Sequence, residues 1–248
     1  MNTQHLDSAL NAPSAGTPKT AATLRSRVGV VLHTYQAQNL LQGRKAQPGK
    51  PGIMGLTAFS ERLKALWHGA RHDDPYADWY LLKIERGLRH CEHQYQTLIK
   101  ALDQHLAQIE EFDITIADSG QPQTLSLRLA NPYAFQGLRR LVEYDHVIRS
   151  EMTLKHLGTV LPESLQAKVD NSGRLLRRVL SVPQRYCLLN IDRAAVAQGT
   201  AQASVAQKRM GVIPADILSG QRLPAIRPLS QVEPSTDASS SNQEATSA

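Results

Sequence analysis

Hydrophobic and polar positions follow two distinct periods along this chain. Between Leu24 and Thr34, Leu24, Val28, Val30 and Leu32 alternate with Arg25, Arg27, Gly29, Val31 and His33. A period of two predicts a half-buried strand whose other face carries Arg25 and Arg27. YQAQNLLQGRK then predicts a short helix around Leu40 and Leu41 that stops at Gly43. AQPGKPG predicts a rigid turn, because Pro48 and Pro51 fix φ while Gly49 and Gly52 permit the bends. A second helix starts near Leu56, with Leu56, Phe59, Leu63 and Leu66 or Trp67 on one face.

The longest periodic stretch runs from Asp73 to Glu111. Asp74 suits an N-cap, and Pro75 suits the first helical position, where its missing N–H costs nothing. Ala77, Leu81, Ile84, Leu88, Cys91, Tyr95, Leu98, Leu102, His105 and Ile109 then recur at alternating spacings of four and three. That is the seam of a helix facing another helix. At about 1.5 Å per residue it would be on the order of 50 Å long. Gly87 and His105 in the run favour the spine of one helical domain over a coiled-coil arm.

Beyond it, FDITIA and TLSLRL alternate and flank DSGQPQ, which predicts a β-hairpin with a long loop. Asn131 and Pro132 open another helix with the seam Leu138, Leu141, Asp145, Ile148, Met152, expected to pack on the long one. Pro162 opens the next, weakened at Ser172 and Gly173, and DRAAVAQGTAQASVAQKRMG predicts one more, ending at Gly211. Strand, short helix, turn, helix is the order from Leu24 to Trp67. It is also the order of a ribbon-helix-helix module, which dimerises by pairing strands. The order recurs from Thr124 with a much longer first helix. The fold class expected is mainly α with a small β component.

Composition sets the boundaries. Residues 1–22 are small and polar, and residues 229–248 hold three acidic residues and no basic one; both are expected to be disordered tails. Residues 23–228 then form a single mainly helical domain. The net charge of +6 suits an anionic partner. Cys91 and Cys187 lack any paired spacing, which argues against a disulfide scaffold and a thiolate zinc site and fits a reducing cytosol. No secretory signal or membrane-length apolar run is present, so a cytoplasmic protein is expected.

GRKAQPGKPG superficially resembles a phosphate loop. It has five residues rather than four between Gly43 and Gly49, and Pro51 where a magnesium-binding hydroxyl should follow Lys50. A basic turn presenting Arg44, Lys45 and Lys50 to phosphates fits better. His68 and His72 have helical spacing beside Asp73 and Asp74, but no further ligand matches them, so loop histidines and a capping aspartate are the simpler account. Asp145 on an apolar seam needs a partner; Arg149, one turn on, is expected to form a structural ion pair with it. No nucleophile elbow, zinc-protease or dinucleotide motif occurs, so no enzyme activity and no cofactor is expected. Arg25 and Arg27 on one strand, with Ser126 and Arg128 on TLSLRL, suit a ribbon that enters a DNA major groove.

HTYQAQNLLQGRKAQPGKPGIMGL, DDPYADWYLLKIE and NPYAFQGLRRLVEYDHVIR together resemble the integrating-conjugative-element accessory proteins grouped with the AcaB-like transcriptional regulators. The resemblance runs from about Leu24 to Pro228 and is most specific in the G-R…G-K-P-G-I turn and the D-D-P-Y-x-D-W run. It implies a cytoplasmic protein of a mobile element that binds double-stranded DNA through a ribbon-helix-helix-like unit and controls conjugation genes. It implies no catalytic residue. A homodimer would follow if strands pair between copies. The alternative is a non-enzymatic structural or adaptor protein of the conjugation machinery, docking a partner along the long helix.

Overall fold

The computed structural model describes residues 27–109, 114–129 and 131–229. Its elements in order are β1 (Arg27–Leu32), α1 (Tyr35–Gln42), β2 (Gly43–Arg44), β3 (Ile53–Met54), α2 (Leu56–Arg71) and α3 (Pro75–Ala107). They continue with β4 (Gln123–Arg128), α4 (Pro132–His156), α5 (Glu163–Ser181) and a 3-10 turn over Val182–Arg185. Three short helices follow: α6 (Arg193–Ala197), α7 (Ala201–Met210) and α8 (Ala215–Leu218).

The long helix is the spine. Asp74 caps it by accepting from the Tyr76 and Ala77 backbone N–H groups, and Pro75 opens it. Its seam from Ala77 to Leu102 is buried against α4, α5 and α2 of the same chain. Apolar burial on this scale holds the fold together. Gly87 does not break the helix; its missing side chain makes room for Val179 of α5. Ser172 and Gly173 likewise sit inside an unbroken α5. The Tyr95 hydroxyl donates to the Ser172 carbonyl at 2.9 Å, and the Tyr144 ring lies against Gly173.

The strands pair differently from expectation. TLSLRL forms β4, but its partner is β1, antiparallel, with Val30 opposite Leu125 and Arg27 opposite Arg128. FDITIA is not that partner: Ile114 to Ala117 form no strand, and 111–113 lie outside the described residues. Period-two alternation marks a strand without naming its neighbour. The consequence is topological. The two strand–helix–helix runs, β1-α1-α2 and β4-α4-α5, meet at their strands inside one chain, so the ribbon needs no second copy.

The turn after α1 is a hairpin, with β2 paired to β3 and Gln47 bridged to Lys50. The segment read as one helix up to Gly211 splits into α6 and α7 at Gly199, which has φ +68°, a left-handed conformation that ends a helix. Met152 ends the α4 seam on the surface. Among the described residues no helix is long and apolar enough to cross a membrane.

Candidate nucleic-acid interface

The β1–β4 ribbon has two unlike faces. Val30 and Leu32 are buried, and Val28, Leu125 and Leu127 pack against the core. On the opposite face Gly29 pairs with Ser126 and Val31 with Thr124, and all four are exposed. Strand alternation produces this split, since cross-strand partners share a face. A Cβ on Gly29 would meet nothing within 4 Å, so the ribbon surface is open there. Val31 is 43% exposed, an apolar side chain between polar ones.

Both strands run directly into helices, and the junctions are capped. Thr34 caps α1 by accepting from Ala37 N–H, and Asn131 caps α4 by accepting from Tyr133 N–H. Asp145 fixes the first junction. It is 3% exposed and accepts from the His33 N–H at 3.1 Å, the Thr34 N–H at 2.8 Å and the Thr34 hydroxyl at 2.7 Å. The expected Asp145–Arg149 ion pair is therefore not formed. Arg149 turns outward instead, donating to the Ala117 carbonyl and pairing with Asp118. Three N–H and O–H donors satisfy the buried carboxylate, and Arg149 finds its own acceptors on the loop before β4.

The β2–β3 hairpin carries the basic turn. Arg44, Lys45 and Lys50 are all exposed, and among the described residues none has a carboxylate partner. Arg44 also closes the hairpin, donating to the Pro51 carbonyl at 3.0 Å. Gly43 and Gly55 approach each other so closely that a side chain at either would strike the opposing backbone. β3 rests on α5, so the turn is held on a rigid base. Of the remaining sequence candidates, Arg25 lies outside the described residues. Arg27 and Arg128 are placed by register as a cross-strand pair at one end of the ribbon. The structure thus brings Arg27, Ser126 and Arg128 into one ribbon and keeps Arg44, Lys45 and Lys50 together on a separate hairpin.

Two exposed positions escaped the sequence reading, Val31 and Thr124. The alternation puts Val31 on the face opposite Val30 and Leu32, and Thr124 at the start of TLSLRL, but neither is assigned a contact there. The missing signal was pairing, which no local pattern carries. Among the described residues no group of three or more His, Cys, Asp or Glu side chains could hold a metal ion. The His68 and His72 rings lie 4.3 Å apart and tilted by 43° at the end of α2, and the His72 ring bonds the His68 carbonyl. Burial pushes the Cys91 thiol up to about 11, which suits a core residue rather than a nucleophile.

The family model described as transcriptional regulator AcaB matches residues 20–230. The chain belongs to the AcaB family of transcriptional regulators. The fold agrees with that membership. The crystal structure of selenomethionine-containing AcaB from uropathogenic E. coli is similar over 80% of this chain and 96% of that one, with a TM-score of 0.53. The sequences are 10% identical, so the likeness to that AcaB is one of fold. No curated protein sequence matches the chain.

Proposed function

We propose that this AcaB-family chain is a sequence-specific DNA-binding regulator of conjugative-element genes, and that it reads DNA through the β1–β4 ribbon. The observation that carries the reading is the exposed ribbon face. A two-stranded ribbon fits a major groove about 12 Å wide. Thr124 and Ser126 offer hydroxyls that bond base edges, and Val31 offers an apolar surface for a thymine methyl. Arg27, opposite Arg128 in the ribbon register, and Arg25, two positions earlier in the sequence, are the arginines assigned to this reading. Arg44, Lys45 and Lys50 neutralise phosphates from the hairpin. Each chain carries its own ribbon, so one copy suffices to occupy a groove. In this reading residues 23–228 act as one non-enzymatic domain in the cytoplasm.

Burial along α3 weighs against an adaptor role through its apolar seam. The seam that would dock a partner, Leu98 included, is buried in the chain's own core. The DNA reading is tested by fluorescence anisotropy of the full chain against promoter DNA of its own element and against random DNA, over a range of salt. Preference for element DNA and a steep fall of affinity with salt are expected. Equal affinity for both duplexes at every salt concentration would overturn it.

A further inference from the structure

A second cationic surface lies apart from the ribbon and the hairpin. It is an open groove of about 1030 Å³, and its rim holds Lys83 of α3, Arg178 of α5, Arg185 of the 3-10 turn and Arg209 of α7. These four residues come from across 127 positions of sequence, so no local spacing announces them. We propose that this groove is an anion site that takes a phosphate-bearing ligand.

Charge is the first support. No Asp or Glu lines the groove. Among the described residues none of its four cations pairs with a carboxylate, whereas Arg140, Arg149, Arg193, Arg222 and Arg227 all do. Like charges brought to one groove repel, and a bound anion relieves that repulsion. Three guanidinium forks suit phosphate oxygens, which accept paired N–H bonds.

Rigidity is the second. The Tyr80 hydroxyl donates to the Arg185 carbonyl at 3.2 Å and fixes the 3-10 turn on α3. The Cys187 N–H meets the Met210 sulfur at 3.4 Å and ties the end of α7 to the same segment. The ammonium of Lys83 sits 3.2 Å from the Trp79 ring centre and 4.3 Å from that of Tyr80. Aromatic faces are the negative partners that Lys83 finds here. Burial first, then Arg185 and Arg86, hold its pKa below the usual lysine value, as expected where positive charge is in excess. Tyr80, Val182 and Met210 add apolar surface to the lining. It suits a base or sugar ring as well as a bare phosphate chain.

The site stands independently of the ribbon, since none of the ribbon or hairpin residues lines it. Lys83 beside Trp79 provides the readout. Trp67→Phe leaves Trp79 as the sole tryptophan of the two in the chain. Tripolyphosphate titrated into the full-length W67F chain at low salt should change Trp79 fluorescence saturably, because the anion draws Lys83 off the indole. Calorimetry on the unsubstituted chain should return the same affinity. Arg178→Gln with Arg209→Gln, both exposed, should weaken binding by about tenfold or more while leaving the circular dichroism unchanged. Lys45→Gln with Lys50→Gln, on the separate hairpin, should leave the Trp79 fluorescence titration unaltered. Displacement of tripolyphosphate by a nucleoside triphosphate identifies a free nucleotide as the source of the phosphate. Displacement only by random duplex DNA identifies a nucleic-acid backbone. Either result supports a phosphate site. Absence of saturable binding, or binding indifferent to R178Q/R209Q, overturns the proposal.

Discussion

Thr34 donates its hydroxyl proton to the Asp145 carboxylate at 2.7 Å, joining the end of β1 to the middle of α4 across 111 positions of sequence. The same Thr34 oxygen accepts the Ala37 N–H, so one side chain both caps α1 and locks the ribbon onto the helical core. Asp145→Ala would strand the His33 and Thr34 N–H groups and should cost on the order of 3 kcal/mol. Thr34→Ala removes the cap and one acceptor contact, for about 1–2 kcal/mol. Arg149→Ala should cost about 1 kcal/mol, because it loses a pair with the exposed Asp118 and one hydrogen bond to the Ala117 carbonyl. Urea denaturation of the three variants checks the order. An Arg149→Ala loss equal to that of Asp145→Ala would restore the helical ion pair.

Much of the helical frame was legible because its information is local. Asp74-Pro75, Asn131-Pro132 and the 4-3 seam each depend on residues within a few turns. Asp145 was legible as an anomaly on its seam, but not its partner, because that partner lies on another element. The β1–β4 pairing was hidden for the same reason. The Gly199 break was misread because an isolated glycine inside a helical pattern is often tolerated. The four cations of the groove converge only after α3, α5 and α7 have packed, so they leave no trace in spacing.

Asp74 sets a pH dependence. It is buried at the start of α3, and that burial pushes its carboxyl up to about 6, with Asp78 adding to the rise. The Tyr186 hydroxyl, donating at 2.7 Å, and the Tyr76 and Ala77 N–H groups oppose the shift without cancelling it. In the folded state Asp74 thus holds its proton to a higher pH than in the unfolded chain. Between about pH 4 and 6 the folded state binds more protons, so stability from this group falls as pH rises and is flat above. The loss should be about 2 kcal/mol. Asp74→Asn keeps a strong N-cap acceptor and carries no charge. It should remove that slope and match or exceed the wild type at pH 8. Thermal melts of both chains from pH 4 to 8 decide it; parallel curves would show that Asp74 ionises normally.

Asp73 and Asp78 hold the described C-terminal segment against the start of α3. Asp78, 0% exposed, pairs with Arg193 at 2.7 Å and Arg227 at 3.1 Å, and Asp73 pairs with both arginines as well. Asp78→Ala leaves two guanidinium groups short of an acceptor and should cost about 3–5 kcal/mol. Arg227→Ala leaves Arg193 on both carboxylates and should cost less, about 1–2 kcal/mol. It should also free the segment after Leu223, where the Ile226 carbonyl accepts from the Tyr133 hydroxyl and Glu85 holds the Ala225 N–H. Limited proteolysis should then cut Arg227→Ala near residues 222–229 faster than wild type. Unchanged cleavage would mean that Tyr133 and Glu85 hold the strap unaided.

The ribbon and the hairpin make separable contributions to DNA binding, and substitution distinguishes them. Lys45→Gln and Lys50→Gln each remove one exposed cation and touch no base-reading position. Each should weaken element and random DNA equally and flatten the log affinity against log salt plot by about 0.9. Thr124→Ala with Ser126→Ala removes two hydroxyls from the exposed ribbon face without altering charge or core. It should lower affinity for element DNA by about 1–3 kcal/mol and leave random DNA and the salt slope unchanged. Anisotropy titrations of both pairs on both duplexes give the comparison. If the hydroxyl pair weakened both duplexes alike, the ribbon would be holding backbone rather than reading sequence, and specificity would have to arise elsewhere on the chain.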